Sequence, residues 1–247
     1  MTAGALAAQT RYDIPNRAHP TLASSVGSAG SELLQYTYSL TDSSAASQVT
    51  DSFQILVPSD DESLSATPGA WSFSKSATSL PDRSSTATLG TMTFVSWENL
   101  TSSAGKPSIL TVALTSKYLP GIGDAFVAGK TPNPLTPSVI ASLPLSLKQQ
   151  LKDFVEPAIA KAPYMVIGPL FKQATSKSVI AANYRFGVAA LIHGGAIDAA
   201  SPYANALIAA LSAFLESGGS GKPVLPSVPP ASAIERAISN AAAIALQ

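Results

Sequence analysis

The chain has 247 residues, of which alanine, serine and proline supply 41, 35 and 19, and its formal net charge at pH 7 is zero. The absence of cysteine excludes a disulfide scaffold, thiolate metal sites and cysteine nucleophiles. Because 46% of the residues are hydrophobic, the composition indicates a folded protein and not a solvated coil, despite the bias towards small residues.

Residues 1–30 contain Pro15, Pro20 and many small side chains, so we expect a flexible N-terminal arm there. The first residues lack the basic start and long apolar run of a signal peptide. Apolar stretches at 188–192 and 204–215 are too short or too interrupted for a membrane span. The sequence therefore predicts a soluble, intracellular protein.

Residues 31–130 have the features of an acidic, β-rich part. Aromatic, β-branched and other apolar residues alternate or form short runs at 33–40, 53–57, 91–97 and 109–114, and a further strand is predicted at 70–73. Segments rich in Ser, Thr, Asp and Pro separate these runs, as loops do. Residues 1–105 carry four basic and nine acidic side chains, a net charge of −5.

Residues 131–247 change to a helical pattern and carry the basic excess. Each expected helix is preceded by a hydroxyl side chain that is suited to an N-cap, and Ser232 and Glu235 have the spacing of a capping box. The expected helices begin after Thr136, Ser146, Ser178, Ser201 and Ser232, and three of them run to His193, to Gly218 and to the last residues. The predicted fold class is α+β, a β-rich N-terminal half followed by an α-helical C-terminal half. The parts 31–130 and 131–247 are either two units or one continuous domain.

Three short patterns suggest chemistry, and none has the full requirements of its motif. The segment 217–222 (SGGSGK) resembles a phosphate-binding loop, but Glu216 and Pro223 stand where glycine and Ser or Thr are needed, so it predicts a helix end and a loop. The glycines at 121 and 123 lack the third small residue of a dinucleotide fingerprint. The acidic run at 60–62 lacks the spacing of a calcium loop and predicts a solvated loop.

Catalytic residues are not evident. His193 lies at the end of a predicted helix, where a cation is favoured by the helix dipole, and capping is the simpler interpretation. No Gly-x-Ser-x-Gly elbow is present. Because the chain has 35 serines, a hydrolase with a Ser-His-Asp site that the sequence does not reveal is kept as a hypothesis, behind the two that are given below. The sequence predicts no cofactor and no metal site.

Basic residues are concentrated between 106 and 185, a range that contains nine basic and three acidic residues. Either they are ordinary solvated side chains, or the fold gathers them into a patch that binds a polyanion. Tyr184, Arg185 and Phe186 place one of these bases between two aromatic residues that would suit a nucleic acid or a subunit neighbour. The candidate RNA-binding residues are Lys106, Lys117, Lys130, Lys148, Lys152, Lys161, Lys172, Lys177 and Arg185.

The abundance of Pro, Ala and Ser in a cysteine-free chain of this length resembles the proline-alanine-serine-rich proteins of polymycoviruses, the double-stranded RNA viruses of fungi. The resemblance extends through 24–32 (SSVGSAGSE), 131–144 (TPNPLTPSVIASLP) and 227–246 (SVPPASAIERAISNAAAIAL), and it is compositional. It implies a non-enzymatic protein that coats or binds viral double-stranded RNA in the host cytoplasm, within a virion or ribonucleoprotein.

Two functional hypotheses follow. The first is a genome-coating viral protein that self-assembles, at least to a homodimer, and contacts RNA phosphates without reading sequence. The second is a capsid or filament subunit whose copies associate through protein–protein contacts, with the −5 and +5 halves attracting one another and no direct RNA binding. Neither hypothesis involves a membrane.

Overall fold

The computed structural model describes residues 20–30, 32–42, 50–67, 72–77, 92–98, 109–129, 137–146, 148–149 and 164–247. The strands in these ranges are β1 (Thr21–Gly30), β2 (Leu33–Thr41), β3 (Thr50–Pro58), β4 (Ser65–Thr67), β5 (Ser72–Ala77), β6 (Met92–Glu98), β7 (Ile109–Ser116), β8 (Leu119–Gly129) and β9 (Tyr164–Phe171). The helices are α1 (Pro137–Ser142), α2 (Lys177–His193), α3 (Pro202–Glu216) and α4 (Ala233–Leu246).

The strands form two sheets in which every described pairing is antiparallel. The first sheet has the order β1-β2-β7-β4, and the second has the order β5-β6-β3-β8-β9. Strand β2 buries Tyr36, Tyr38 and Leu40 at alternate positions, as a strand with one face on a core must. Strand β6 is buried along 92–97 and is therefore covered on both faces.

An aromatic cluster joins the two sheets. Tyr38 of β2 lies with its ring centroid 5.5 Å from that of Phe53 in β3 and 6.1 Å from that of Trp97 in β6. Phe53 and Trp97 stack at 5.4 Å, and all three side chains are fully buried. Large rings of this kind bury much apolar area, so they form the central part of the core between the sheets.

The free edges of β1 and β9 meet at a seam that side chains hold together. The Ser24 hydroxyl accepts a hydrogen bond of 3.0 Å from the Ile167 amide, and the Tyr164 hydroxyl donates one of 3.1 Å to the Pro20 carbonyl. Helix α4 packs over β1 and β8 near this seam. The two sheets are thus connected along one side without a continuous backbone ladder.

The ladder between β3 and β8 stops at Ala125. Beyond it, side chains of helix α2 form hydrogen bonds with the main chain of β8. The Asn183 side chain accepts from the Ile122 amide at 2.8 Å and donates to the Ile122 carbonyl at 2.9 Å. The Tyr184 hydroxyl donates to the Pro120 carbonyl at 3.0 Å. These side chains satisfy main-chain groups that a neighbouring strand would otherwise pair.

The predicted order of elements, with strands early in the chain and helices late, is confirmed. Strands β2, β3, β6 and β7 coincide, within the described residues, with the runs expected at 33–40, 53–57, 91–97 and 109–114, and β5 at 72–77 overlaps the strand predicted at 70–73. The helices after 136, 201 and 232 are also confirmed, while α2 begins after Ser176 and not after Ser178. Most of the helix expected after Ser146 lies outside the described residues.

Three elements differ from the expectation. Residues 21–30 of the predicted arm form β1, because their main chain pairs with β2 although none of their side chains is fully buried. Residues 119–129 form β8 despite one proline and several glycines. Residues 164–171 form β9 within the part predicted to be helical, because this apolar run pairs with β8. The division at residue 130 stays a prediction, and residues 1–19 lie outside the described part.

Helices in the described ranges are all too short or too polar to cross a lipid bilayer.

Candidate functional site

The structure describes five of the nine candidate RNA-binding residues. Lys106, Lys130, Lys152 and Lys161 lie outside the described residues. The other five are Lys117, Lys148, Lys172, Lys177 and Arg185, and the side-chain contacts described for Lys148, Lys172 and Lys177 go to different groups.

Lys117 and Lys172 lie near one another beside the β8–β9 pair. The Gln173 side chain donates a 3.0 Å hydrogen bond to the Lys117 carbonyl, which connects the two segments. Lys172 forms an ion pair of 2.6 Å with Asp60. The hydrogen bond from Lys172, followed by the one from Tyr118, lowers the pKa of Asp60. Asp60 thus offsets part of the positive charge here.

A second pair of cations lies at the start of α2. The Lys177 ammonium donates a 2.8 Å hydrogen bond to the Ala245 carbonyl in the last turn of α4. Burial, and then the positive charge of Lys222, lower the pKa of Lys177. Lys222 thus adds a second positive charge in the neighbourhood of Lys177.

The loop that carries Lys222 is held tightly against this helix. A Cβ atom on Gly219 would lie 2.7 Å from Cβ of Ser178, so only glycine fits at this contact. Gly219 also has a φ of 65°, in the left-handed region that favours glycine. The segment 217–222 follows a helix, as expected, and it brings its lysine to the N-terminal end of α2.

Helix α2 presents one base and one aromatic side chain to solvent. Arg185 is exposed, and Phe186 retains 61% of its accessible surface. Tyr184 is fully buried against β8, so it is not available for stacking on a base. Lys148 donates a 2.8 Å hydrogen bond to the Ala141 carbonyl.

The acidic run at 60–62 is not a wholly solvated loop, which corrects the prediction. Asp61 is only 1% exposed and accepts hydrogen bonds from the Ser63 amide and hydroxyl and from the Ser116 hydroxyl. Tyr118 donates to Asp60 at 3.0 Å. Asp61 is therefore a structural acceptor that joins the 58–65 loop to β7, and its residue type alone does not reveal this role.

The remaining candidate features of the described residues are His193 and a surface groove. His193 is exposed in the last turn of α2, as its position in the sequence predicts, and the C-cap residue is Gly194. Within the described ranges, no three His, Asp or Glu side chains are grouped so that they could hold a metal ion. An open groove of about 660 Å³ lies between α3 and residues 220–227, and its lining is mostly Ala, Pro, Val, Leu and Ser.

Sequence reasoning missed Lys222, because it was considered only as part of a failed phosphate-loop motif. Its distance of 45 positions from Lys177 along the chain hides their proximity. The only sequence signal was the glycine-rich composition of 217–221, which permits close approach of the loop to another element.

Comparison with known proteins gives no assignment. No protein-family model matches the chain, and no curated protein or solved structure is significantly similar to it.

Proposed function

We propose that this protein is a non-enzymatic, self-assembling viral structural protein that coats double-stranded RNA through contacts with phosphates. The compositional resemblance to the proline-alanine-serine-rich proteins of polymycoviruses supports the proposal. Binding is independent of sequence, because lysine ammonium groups that meet phosphates carry no information about the bases. With this function, the protein would be located in the host cytoplasm as part of a viral ribonucleoprotein.

The observation that carries the proposal is the contact of Gly219 with Ser178, which holds the loop of Lys222 against the start of α2, where the Lys222 charge acts on Lys177. The first turn of α2 contains no acidic residue. Lys222 is exposed, and Lys177 is half-buried, so the pair faces solvent on one side. A phosphate placed there would be attracted by both charges, and Arg185 on the same helix adds a further exposed cation.

A gel-shift titration with random-sequence double-stranded RNA tests the proposal. Wild-type protein, freed of nucleic acid, should bind at about 50 mM salt and lose most of its affinity at about 200 mM, as phosphate-driven binding does. Lys222→Gln should weaken binding at the lower salt concentration. It should also reduce the slope of log K against log salt by roughly 0.9, the value for one phosphate contact on duplex DNA.

Arg236→Gln is the matched control, because Arg236 is also an exposed base in the C-terminal part but lies on α4. Its RNA affinity and salt slope should remain those of wild type. Equal losses in the two variants would indicate a diffuse charge effect and would contradict a phosphate site at Lys222. Absence of any shift at 50 mM salt would exclude RNA coating.

The alternative function is that of a capsid or filament subunit without RNA contacts. The uneven charge, −5 in residues 1–105 and +5 in residues 106–247, and the exposed Phe186 favour protein–protein contacts of this kind. Under this alternative the nucleic-acid-free protein forms large particles that dissociate in salt and do not shift RNA. Light scattering of the sample that is used for the gel shift separates the two functions.

A further inference from the structure

Strand β1 is the least buried long strand of the described sheets. None of its ten residues is buried, and only Leu22, Ser24 and Val26 are half-buried. It forms one edge of its sheet and pairs along its length with β2 alone. The apolar area that holds it in place is therefore confined mainly to Leu22 and Val26, which pack against the core.

The connection from β1 to β2 is short and strained. Gly30 has a φ of 83°, and Glu32 has a φ of 64°. Glutamate is disfavoured in this left-handed region, because its Cβ atom crowds the backbone. The ladder also shifts register between Ser28 and Gly30. Opening of this hairpin would allow Glu32 to leave the left-handed region. The closed hairpin therefore has a conformational free-energy cost that an open connection does not have.

The remaining contacts of β1 can form equally well with another molecule. Strand β1 is held by its ladder to β2, by two seam bonds, from Ile167 to Ser24 and from Tyr164 to Pro20, and by the packing of α4 over it. If β1 of a second copy occupies the same place, each of these contacts is reproduced, and only the connection beside Glu32 changes. Short strained connections of this type favour exchange of an element between copies.

We propose that β1 is an exchangeable strand, and that two copies of this chain form a reciprocal dimer in which β1 of each copy pairs with β2 of the other. The inference is independent of RNA binding. It assigns to β2 a specific partner, residues 21–30 of a second copy, in the same antiparallel register.

Cysteine pairs test the exchange cleanly, because the chain contains no cysteine. Ser25 and Thr37 lie directly opposite one another in the β1–β2 ladder, at a separation suited to a disulfide. One preparation carries Ser25→Cys and a second, with a larger tag, carries Thr37→Cys. The two are unfolded together, refolded at high concentration and oxidised. Exchange is expected to give a disulfide between the two chains in the dimer fraction from size exclusion.

The control combines Ser25→Cys with Thr41→Cys, which lies opposite Thr21 and is therefore four residues out of register. It should give no comparable bond. A second in-register pair, Ala23→Cys with Ser39→Cys, covers the case in which the first variants fold poorly. A monomeric product, a dimer without the in-register disulfide, or equal cross-linking in the control would each overturn the proposal.

Variants of the connection provide an independent measurement on the otherwise wild-type chain. Glu32→Gly relieves the left-handed residue and should reduce the dimer fraction at equilibrium by roughly fivefold. Glu32→Val, whose branched side chain is worse in this region, should increase it. No change, or the opposite order of the two variants, would contradict strain-driven exchange.

Discussion

Two tyrosines on the buried face of β2 differ in whether their hydroxyl groups form a hydrogen bond. Tyr36 and Tyr38 are both fully buried. The Tyr36 hydroxyl donates to the Tyr118 carbonyl, whereas the Tyr38 hydroxyl has no partner in the described part of the protein. Burial raises the pKa of both hydroxyls, so both remain neutral across the range in which the protein is handled. A buried polar atom without a partner opposes folding.

We therefore expect opposite results from the same chemical change. Tyr36→Phe removes a hydrogen bond and leaves the Tyr118 carbonyl without it, which should lower the free energy of unfolding by about 1 kcal/mol. Tyr38→Phe removes a desolvated hydroxyl and should leave that free energy unchanged or raise it. Urea unfolding of the two variants beside wild type is the measurement, and equal losses would contradict the assigned hydrogen bonds.

At the scale of elements, Glu235 links the starts of α3 and α4. Its carboxylate accepts a hydrogen bond from the hydroxyl of Ser201, the N-cap residue of α3. It also accepts from the amides of Ala231 and Ser232, and each of these two hydrogen bonds is 2.8 Å long. The Ser232 hydroxyl in turn accepts from the Glu235 amide at 3.2 Å, which completes the predicted capping box. One carboxylate thus satisfies donors at two helix starts.

This carboxylate should make stability depend on pH. Burial alone would raise the pKa of Glu235, but hydrogen bonds from Ser201 and from the Ser232 and Ala231 amides outweigh burial and lower it. A lowered pKa in the folded state means a stabilisation that is present above the ordinary glutamate value of 4.5 and is lost as pH falls through the folded value.

Glu235→Gln should therefore lower the free energy of unfolding by about 1–3 kcal/mol at pH 7, because buried donors lose a charged acceptor. The difference from wild type should shrink as pH falls below 4.5. Glu216→Gln, on the exposed end of α3, should remain within about 0.5 kcal/mol of wild type. A Glu235→Gln difference that stays constant with pH would show that its charge does not contribute.

At the scale of the whole molecule, the helical layer attaches to the second sheet through a close contact between α2 and β8. A Cβ atom on Gly187 would lie 2.7 Å from both Cβ and Cγ2 of Ile122. The Cβ atom of Ile122 is fixed to the strand backbone, so it cannot rotate away. The missing side chain at 187 lets the helix approach near enough for Asn183 to bond both main-chain groups of Ile122.

Gly187→Ala should consequently lower the free energy of unfolding by about 1–3 kcal/mol, because overpacking outweighs the better helix propensity of alanine. Gly27→Ala is the control, since nothing lies within 4 Å of its Cβ position. Its stability should be unchanged or slightly higher. Equal stability of Gly187→Ala and wild type in urea unfolding would mean that the two layers are free to move apart.

The sequence was sufficient for elements whose signals are local. Alternating apolar side chains predict β2, and the Ser232–Glu235 spacing predicts the start of α4. The sequence was insufficient where a distant group completes the structure. Strand β8 contains residues that disfavour strands, and its main chain is satisfied by Asn183, 61 positions away from Ile122.

The candidate site was less predictable than the fold, for the same reason. Asp61 is buried by partners that include Ser116, 55 positions along the chain. Lys172 was predicted as an RNA-binding residue, and its ammonium group pairs with Asp60 of the same chain. Charge and residue type identify groups that are capable of binding an anion, while the fold decides which of them are already engaged by the protein itself.

The aromatic cluster between the sheets also gives the protein an intrinsic optical reporter. Trp97 is fully buried and stacks on Phe53. Its ring centroid lies 5.8 Å from the ring centroid of Phe73. Its emission should be blue-shifted and inaccessible to iodide, and its fixed asymmetric surroundings should give a near-ultraviolet circular dichroism band. In a Trp71→Phe background, loss of that band while the far-ultraviolet signal persists would reveal a state in which the sheets have separated but the strands remain paired.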